Sequence, residues 1–145
     1  MNSPSAPQPV KSPGNPTTAF TIASWIAVLT GVLGFTIALW RADLPLSDKE
    51  YYFTNLMFGL FAVVSLQKSV RDRLEGIPVT SLYFGICWFG TLLAMVLLAA
   101  GLIQAEELLP SEKGYYAFAF LLALFGTVAV QKNTRDELGV ARITP

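Results

Sequence analysis

The sequence predicts an all-α membrane protein, with four transmembrane helices arranged as two tandem parallel-repeat helical hairpins. Three observations predict it. Hydrophobic residues make up 53% of the chain and charged residues 14%, well below the quarter typical of soluble domains. The charges cluster in short segments between long uncharged runs. A pattern also occurs twice. Ser47-Asp48-Lys49-Glu50-Tyr51-Tyr52, an apolar run and Gln67-Lys68-Ser69-Val70-Arg71-Asp72 return as Ser111-Glu112-Lys113-Gly114-Tyr115-Tyr116, an apolar run and Gln131-Lys132-Asn133-Thr134-Arg135-Asp136. About twelve of the ~28 positions from Ser47 to Leu74 are identical in the second copy, the mark of an internal repeat.

Composition excludes several functions. The formal net charge is zero, so no bulk field draws nucleic acid. There is no His, and Cys87 is the sole cysteine, inside an apolar run. An intramolecular disulfide and a Cys/His zinc site are thereby excluded, and Cys87 reads as a buried, inert thiol. No set of nucleophile, base and metal ligands is visible. The expectation is a protein that is not an enzyme and takes no cofactor.

Residues 1–18 carry Pro4, Pro7, Pro9, Pro13 and Pro16 and read as a disordered cytoplasmic tail. The first two-helix repeat is expected over 19–76, the second over 77–139, and a short tail over 140–145. Ala19 to Trp40 is uncharged and long enough to span, too long for the apolar core of a signal peptide. Trp25 and Trp40 stand towards its ends, where indole rings favour headgroups. Ala23, Ala27 and Gly31 form a small-residue stripe.

Ser47 and Glu50 have capping-box spacing, and Tyr51 and Tyr52 follow at the expected interface. Tyr51 to Gln67 is a minimal span, which the Lys68 stem can lengthen by snorkelling. Gly76 is the expected stop of that helix, and Pro78 prevents its resumption. Thr80 or Ser81 caps the third helix, whose uncharged run reaches Ala105. Gly90 and Ala94 there are a second small pair. Tyr115 to Gln131 is the fourth span, with Gly139 expected to end its helix. A soluble four-helix bundle would confine apolar residues to one stripe; these runs are apolar all round.

Lys and Arg set the expected orientation. With both tails and the middle loop in the cytoplasm, seven lie inside and three outside, as the positive-inside rule requires. Each copy then inserts in the same direction, unlike the inverted repeats of many transporters.

The repeated Gln-Lys-x-x-Arg-Asp ending supplies candidate lipid or partner contacts: Lys68, Arg71, Asp72, Lys132, Arg135 and Asp136. Lys68–Asp72 and Lys132–Asp136 have the spacing of surface ion pairs on a helix. The cations also suit a helix C-terminus and an anionic leaflet. As plain topology anchors they would need no accompanying Gln and Asp. Candidate helix-packing residues are Ala27, Gly31, Gly90, Ala94 and Asn55, the last because an unpaired amide in lipid is costly.

At these residues the chain resembles the YiaA/YiaB family of bacterial inner-membrane proteins, built from a repeated two-helix domain. The resemblance covers about residues 19–139. It rests on Ser24-Trp25-Ile26, on Asp48-Lys49-Glu50-Tyr51-Tyr52 with its second copy, on Glu75-Gly76-Ile77-Pro78, and on Val130-Gln131-Lys132-Asn133 with Arg135-Asp136. A family-like Gly-Leu-Trp-Asn-Ala is present in part, as Ala38-Leu39-Trp40-Arg41-Ala42 and Gly101-Leu102-Ile103-Gln104-Ala105. The resemblance implies a multi-pass inner-membrane protein without an established biochemical activity, and supplies no catalytic residues.

Two function classes follow. The first is a membrane protein that associates through its helices with a second copy or another membrane protein. The alternative is a small transporter or channel subunit for a neutral or weakly polar solute. Ion transport generally places titratable groups within the membrane, and these spans contain no Asp, Glu, Lys, Arg or His.

Overall fold

A computed structural model describes residues 16–141, with side chains described to residue 136. Of the tail expected over 1–18, residues 1–15 lie outside it, as do the final residues 142–145, whereas Thr17 and Thr18 already cap and open the first helix. The described residues form α1 (Thr18–Arg41), α2 (Leu46–Leu74), α3 (Ser81–Gln104) and α4 (Pro110–Ala141), with no strand among them. All four helices are long and apolar enough to cross a membrane.

Local chemistry sets most helix ends. Thr17 and Thr80 are the N-caps of α1 and α3, their hydroxyls accepting from Phe20 N–H and Tyr83 N–H at 3.3 Å. The expected Ser47–Glu50 capping box does not form. The helix starts one residue before Ser47, with Pro45 as its N-cap and no side-chain cap bond, and the Ser47 hydroxyl donates to Asp48 Oδ1. A proline there needs no N–H partner. In the second copy Leu109 holds the place of Pro45, and its N–H donates to Glu112 Oε2 at 2.7 Å. That is half of a capping box, and Pro45 has no hydrogen with which to make it.

Gly76 ends α2 as expected, at φ +73°. Ile77 N–H donates to Asp72 O at 2.8 Å and Gly76 N–H to Arg73 O at 3.2 Å, the paired bonds of a Schellman motif. A Cβ at Gly76 would meet nothing, so Gly76→Ala tests conformation alone. Thermal unfolding in detergent is expected to show a loss of about 1 kcal/mol; an unchanged transition would mean that the turn relaxes freely. Gly139 does not stop α4, which runs to Ala141. A glycine within a helix costs only about 1 kcal/mol relative to alanine, and termination needs the left-handed turn that Gly76 adopts and Gly139 does not.

Helix packing crosses the repeats. α1 packs chiefly on α4 and α3 chiefly on α2, α2 and α4 meet in the middle, and contacts within each repeat are few. The core carries Phe35, Leu39, Tyr52, Leu56, Tyr116 and Phe120. The outer faces stay apolar: Ile22, Ile26, Leu29, Leu33 and Ile37 along α1 are all exposed, which suits lipid rather than water.

The repeated Tyr-Tyr pair divides its labour. Tyr52 and Tyr116 are buried and stack on one another with ring centroids 6.3 Å apart, joining α2 to α4. Tyr52 was expected at the interface from its place at the start of a span; packing between the repeats takes the second tyrosine of each pair inward. Tyr51 turns to α3 and donates its hydroxyl to Leu97 O at 2.8 Å. Tyr115 turns to α1, its hydroxyl against Gly34.

Candidate functional site

The C-terminal ends of α2 and α4 and the start of α1 form one polar layer. The repeated Gln-Lys-x-x-Arg-Asp ending supplies most of it. Lys68 Nζ lies 2.7 Å from Asp72 Oδ2, and Arg71 reaches the other oxygen of Asp72 at 3.3 Å. Lys132 Nζ lies 3.0 Å from Asp136 Oδ2. Arg135 pairs with Glu75 instead, tying α4 to the C-cap of α2. Each candidate cation thus has a carboxylate beside it. Counting Arg73, five cations face three carboxylates among the described side chains, so a modest positive excess remains. Arg73 spreads its guanidinium over the Phe84 ring at 3.9 Å, a cation–π contact that anchors the start of α3.

The amides of the same layer bind helix to helix. Gln67 Nε2 donates to Val128 O at 3.1 Å, from α2 to α4. Asn133 Nδ2 donates to Ser24 Oγ at 3.1 Å, from α4 to α1, and the Ser24 hydroxyl donates in turn to Phe20 O. Asn133 and Ser24, both within family-like motifs, were not among the candidate packing or contact residues. The substitution of Asn133 for Ser69 at one repeat position was the available signal. Several buried polar atoms of this layer have no partner within the described chain: Gln67 Oε1, Gln131 Oε1, Asn133 Oδ1, Arg71 Nε and Thr21 Oγ1.

The packing candidates lie elsewhere and differ from one another. Gly31 abuts the α4 backbone: a Cβ there would meet Ala123 N, lie 2.7 Å from Ala123 Cα and 2.8 Å from Ala119 O. Ala27 lies at the same seam, its carbonyl carbon 3.1 Å from where a Cβ on Gly126 would stand. At Gly90 a Cβ would meet Ala62 and Phe58 at an ordinary 3.6 Å. Ala94 is fully buried, and Asn55 Nδ2 donates to its carbonyl at 3.0 Å, joining α2 to α3.

A second missed role belongs to the lysine of the repeated Ser-x-Lys. Lys49 Nζ donates to Trp40 O at 3.3 Å and Lys113 Nζ approaches Ile103 O at 3.5 Å. In each copy this lysine reaches back to the free carbonyls ending the preceding helix, where the macrodipole favours a cation. Cys87 is buried and unpaired. No group of three or more Cys, Asp or Glu among the described residues could hold a metal ion.

Comparison with known proteins agrees with this two-helix periodicity. The family described as "yiaA/B two helix domain" matches residues 20–72 and again 83–136, so one match holds most of α1 and α2 and the other most of α3 and α4. The chain is 51% identical over 118 residues to "Inner membrane protein YiaA" of Escherichia coli strain K12, covering 81% of each protein. It is 35% identical over 60 residues to "Uncharacterized membrane protein YubF" of Bacillus subtilis strain 168, covering 41% of this chain and 69% of that one. No solved structure matches. Four apolar helices and this relative identify a multi-pass inner-membrane protein whose biochemical role is not established. The chain belongs to the yiaA/B two-helix domain family and carries the domain twice.

Proposed function

We propose that the protein acts by association rather than catalysis, with both termini and the polar layer at the cytoplasmic face. The layer receives the acidic juxtamembrane segment of another inner-membrane protein. The observation behind this reading is the positive excess at this end together with the buried polar atoms left over there: Arg71 Nε is a donor that a carboxylate satisfies, and the amide oxygens of Gln67, Gln131 and Asn133 are acceptors for the segment's backbone N–H groups. Buried polar groups are normally satisfied, and here all the unmet ones but Asn55 Oδ1 gather at one end, beside a positive excess among the described side chains. A solute path is not favoured, because Asn55, the amide well inside a span, has its Nδ2 fixed on the Ala94 carbonyl in a helix-to-helix bond.

Orientation is tested with Cys87→Ala, followed by a single cysteine at Asp43 or at Pro78. An impermeant thiol reagent is expected to label the Asp43 position in intact cells and the Pro78 position only after permeabilisation. The reverse pattern would turn the protein over and remove the polar layer from the cytoplasm. Association is tested by exchanging Arg71 and Arg135 for Lys, which keeps charge but loses the guanidinium fork. With topology unchanged, pull-down in mild detergent is expected to recover a membrane partner with the unaltered chain and markedly less with the double variant. Equal recovery would leave these residues as topology anchors only.

A further inference from the structure

The two repeats keep a common framework and part company where α2 meets α3. There, an open groove of about 420 Å³ is lined by Ser47, Glu50, Thr54, Asn55, Phe58 and Leu97, with Tyr51 beside them. Its upper part, at the start of α2, offers acceptors: the Glu50 carboxylate and the hydroxyls of Ser47 and Thr54. Its deeper wall, two turns further on, is Phe58 and Leu97. Asn55 is only 4% exposed. Its Nδ2 is fixed on Ala94 O, so its orientation is set, and its Oδ1 has no partner within the described chain. No Lys or Arg lines the groove, and no described cation pairs with Glu50.

The second repeat does not reproduce this chemistry. The places of Glu50, Thr54 and Asn55 are taken by Gly114, Phe118 and Ala119, and that of Leu97 by Gly34. The corresponding α1–α4 seam is closed: a Cβ on Gly126 would stand 2.7 Å from Val28 N, and Tyr115 lies against Gly34. Ser47 and Tyr51 recur in both copies as Ser111 and Tyr115, each tyrosine reaching the neighbouring helix. Glu50, Thr54 and Asn55 do not recur, so framework-building does not account for them.

We propose that the α2–α3 groove binds one aminophospholipid. Its primary ammonium sits against Glu50 and donates towards Asn55 Oδ1, and an acyl chain lies along Phe58 and Leu97. Charge complementarity selects a cationic head, and the Glu50 carboxylate and Asn55 Oδ1, which can only accept, select one that carries N–H donors. An amphipathic wall opening sideways from the helices suits a lipid rather than a water-borne solute. This site is at the opposite end of the spans from the polar layer, and stands or falls apart from it.

The test uses the full chain, delipidated in mild detergent and titrated with dioleoyl phosphatidylethanolamine, phosphatidylcholine or phosphatidylglycerol, with bound lipid counted by native mass spectrometry. One phosphatidylethanolamine per chain is expected to bind about threefold or more tightly than either competitor, the net gain of one hydrogen bond from its ammonium. Phosphatidylcholine is the critical control, since it keeps the charge and lacks the N–H. Glu50→Gln should abolish the preference. Thr54→Phe, which installs the residue of the second copy, should empty the groove. Both positions are exposed, and an unchanged melting transition confirms folding; if Thr54→Phe unfolds, Glu50→Gln decides alone. Equal binding of phosphatidylethanolamine and phosphatidylcholine, tighter binding of phosphatidylglycerol, or undiminished preference in Glu50→Gln would overturn the proposal.

Discussion

Replacing Gly31 with Ala is expected to push α1 off α4 and to destabilise the protein by about 3 kcal/mol, the upper range for an overpacked core. The added carbon has nowhere to go. It meets main-chain atoms of Ala123 and Ala119, and neither can rotate aside as a side chain would. The helices must separate, and each then loses dispersion contacts along a seam where packing, not hydrophobic expulsion, drives association. Gly90→Ala is the matched control. Its Cβ would find ordinary contact distances, so its effect should stay within about 0.5 kcal/mol. Thermal unfolding in detergent compares the two directly. Equal transitions would show that the α1–α4 seam yields without cost.

Phe120→Ala should cost about 3–5 kcal/mol, as expected for a fully buried aromatic ring. Phe120 is 0% exposed, pairs with Phe35 at 6.2 Å between centroids, and fills the space left by Gly59 on α2. Removing the ring opens a cavity where α1, α2 and α4 meet. Phe125, five residues on, is 72% exposed and faces the surrounding lipid. Phe125→Ala should therefore change stability by no more than about 0.5 kcal/mol. If both variants unfold at the same temperature, Phe120 is not the centre of the core.

The two predictions separate residues that are alike in the sequence. Gly31 and Gly90 each stand in a small-residue pair on the first helix of a repeat. Only the three-dimensional partner distinguishes them: backbone at one, side chains with room at the other. Phe120 and Phe125 likewise lie in one apolar run. A membrane helix that is apolar on every side has almost no periodic signal to tell its lipid face from its core face, since lipid and protein interior favour the same side chains.

What the sequence determined by itself was set by local terms. Uncharged length defined the four spans, a threonine hydroxyl placed the start of α3, and the left-handed glycine placed the end of α2. The repeat announced two equivalent units, and the i,i+4 spacing announced Lys68–Asp72 and Lys132–Asp136. Two local signals misled: Pro45 displaced the Ser47–Glu50 box, and Gly139 lacked the turn needed to stop a helix. The tertiary structure alone decided which helices are neighbours. It paired α1 with α4 and α2 with α3, turned Tyr52 and Tyr116 inward to stack, joined Arg135 to Glu75, and brought Asn133 to Ser24 across 109 positions. The reason is physical. Helix formation and membrane insertion depend on groups within a few turns of one another, whereas partner choice depends on shape complementarity and single hydrogen bonds between segments far apart in the chain.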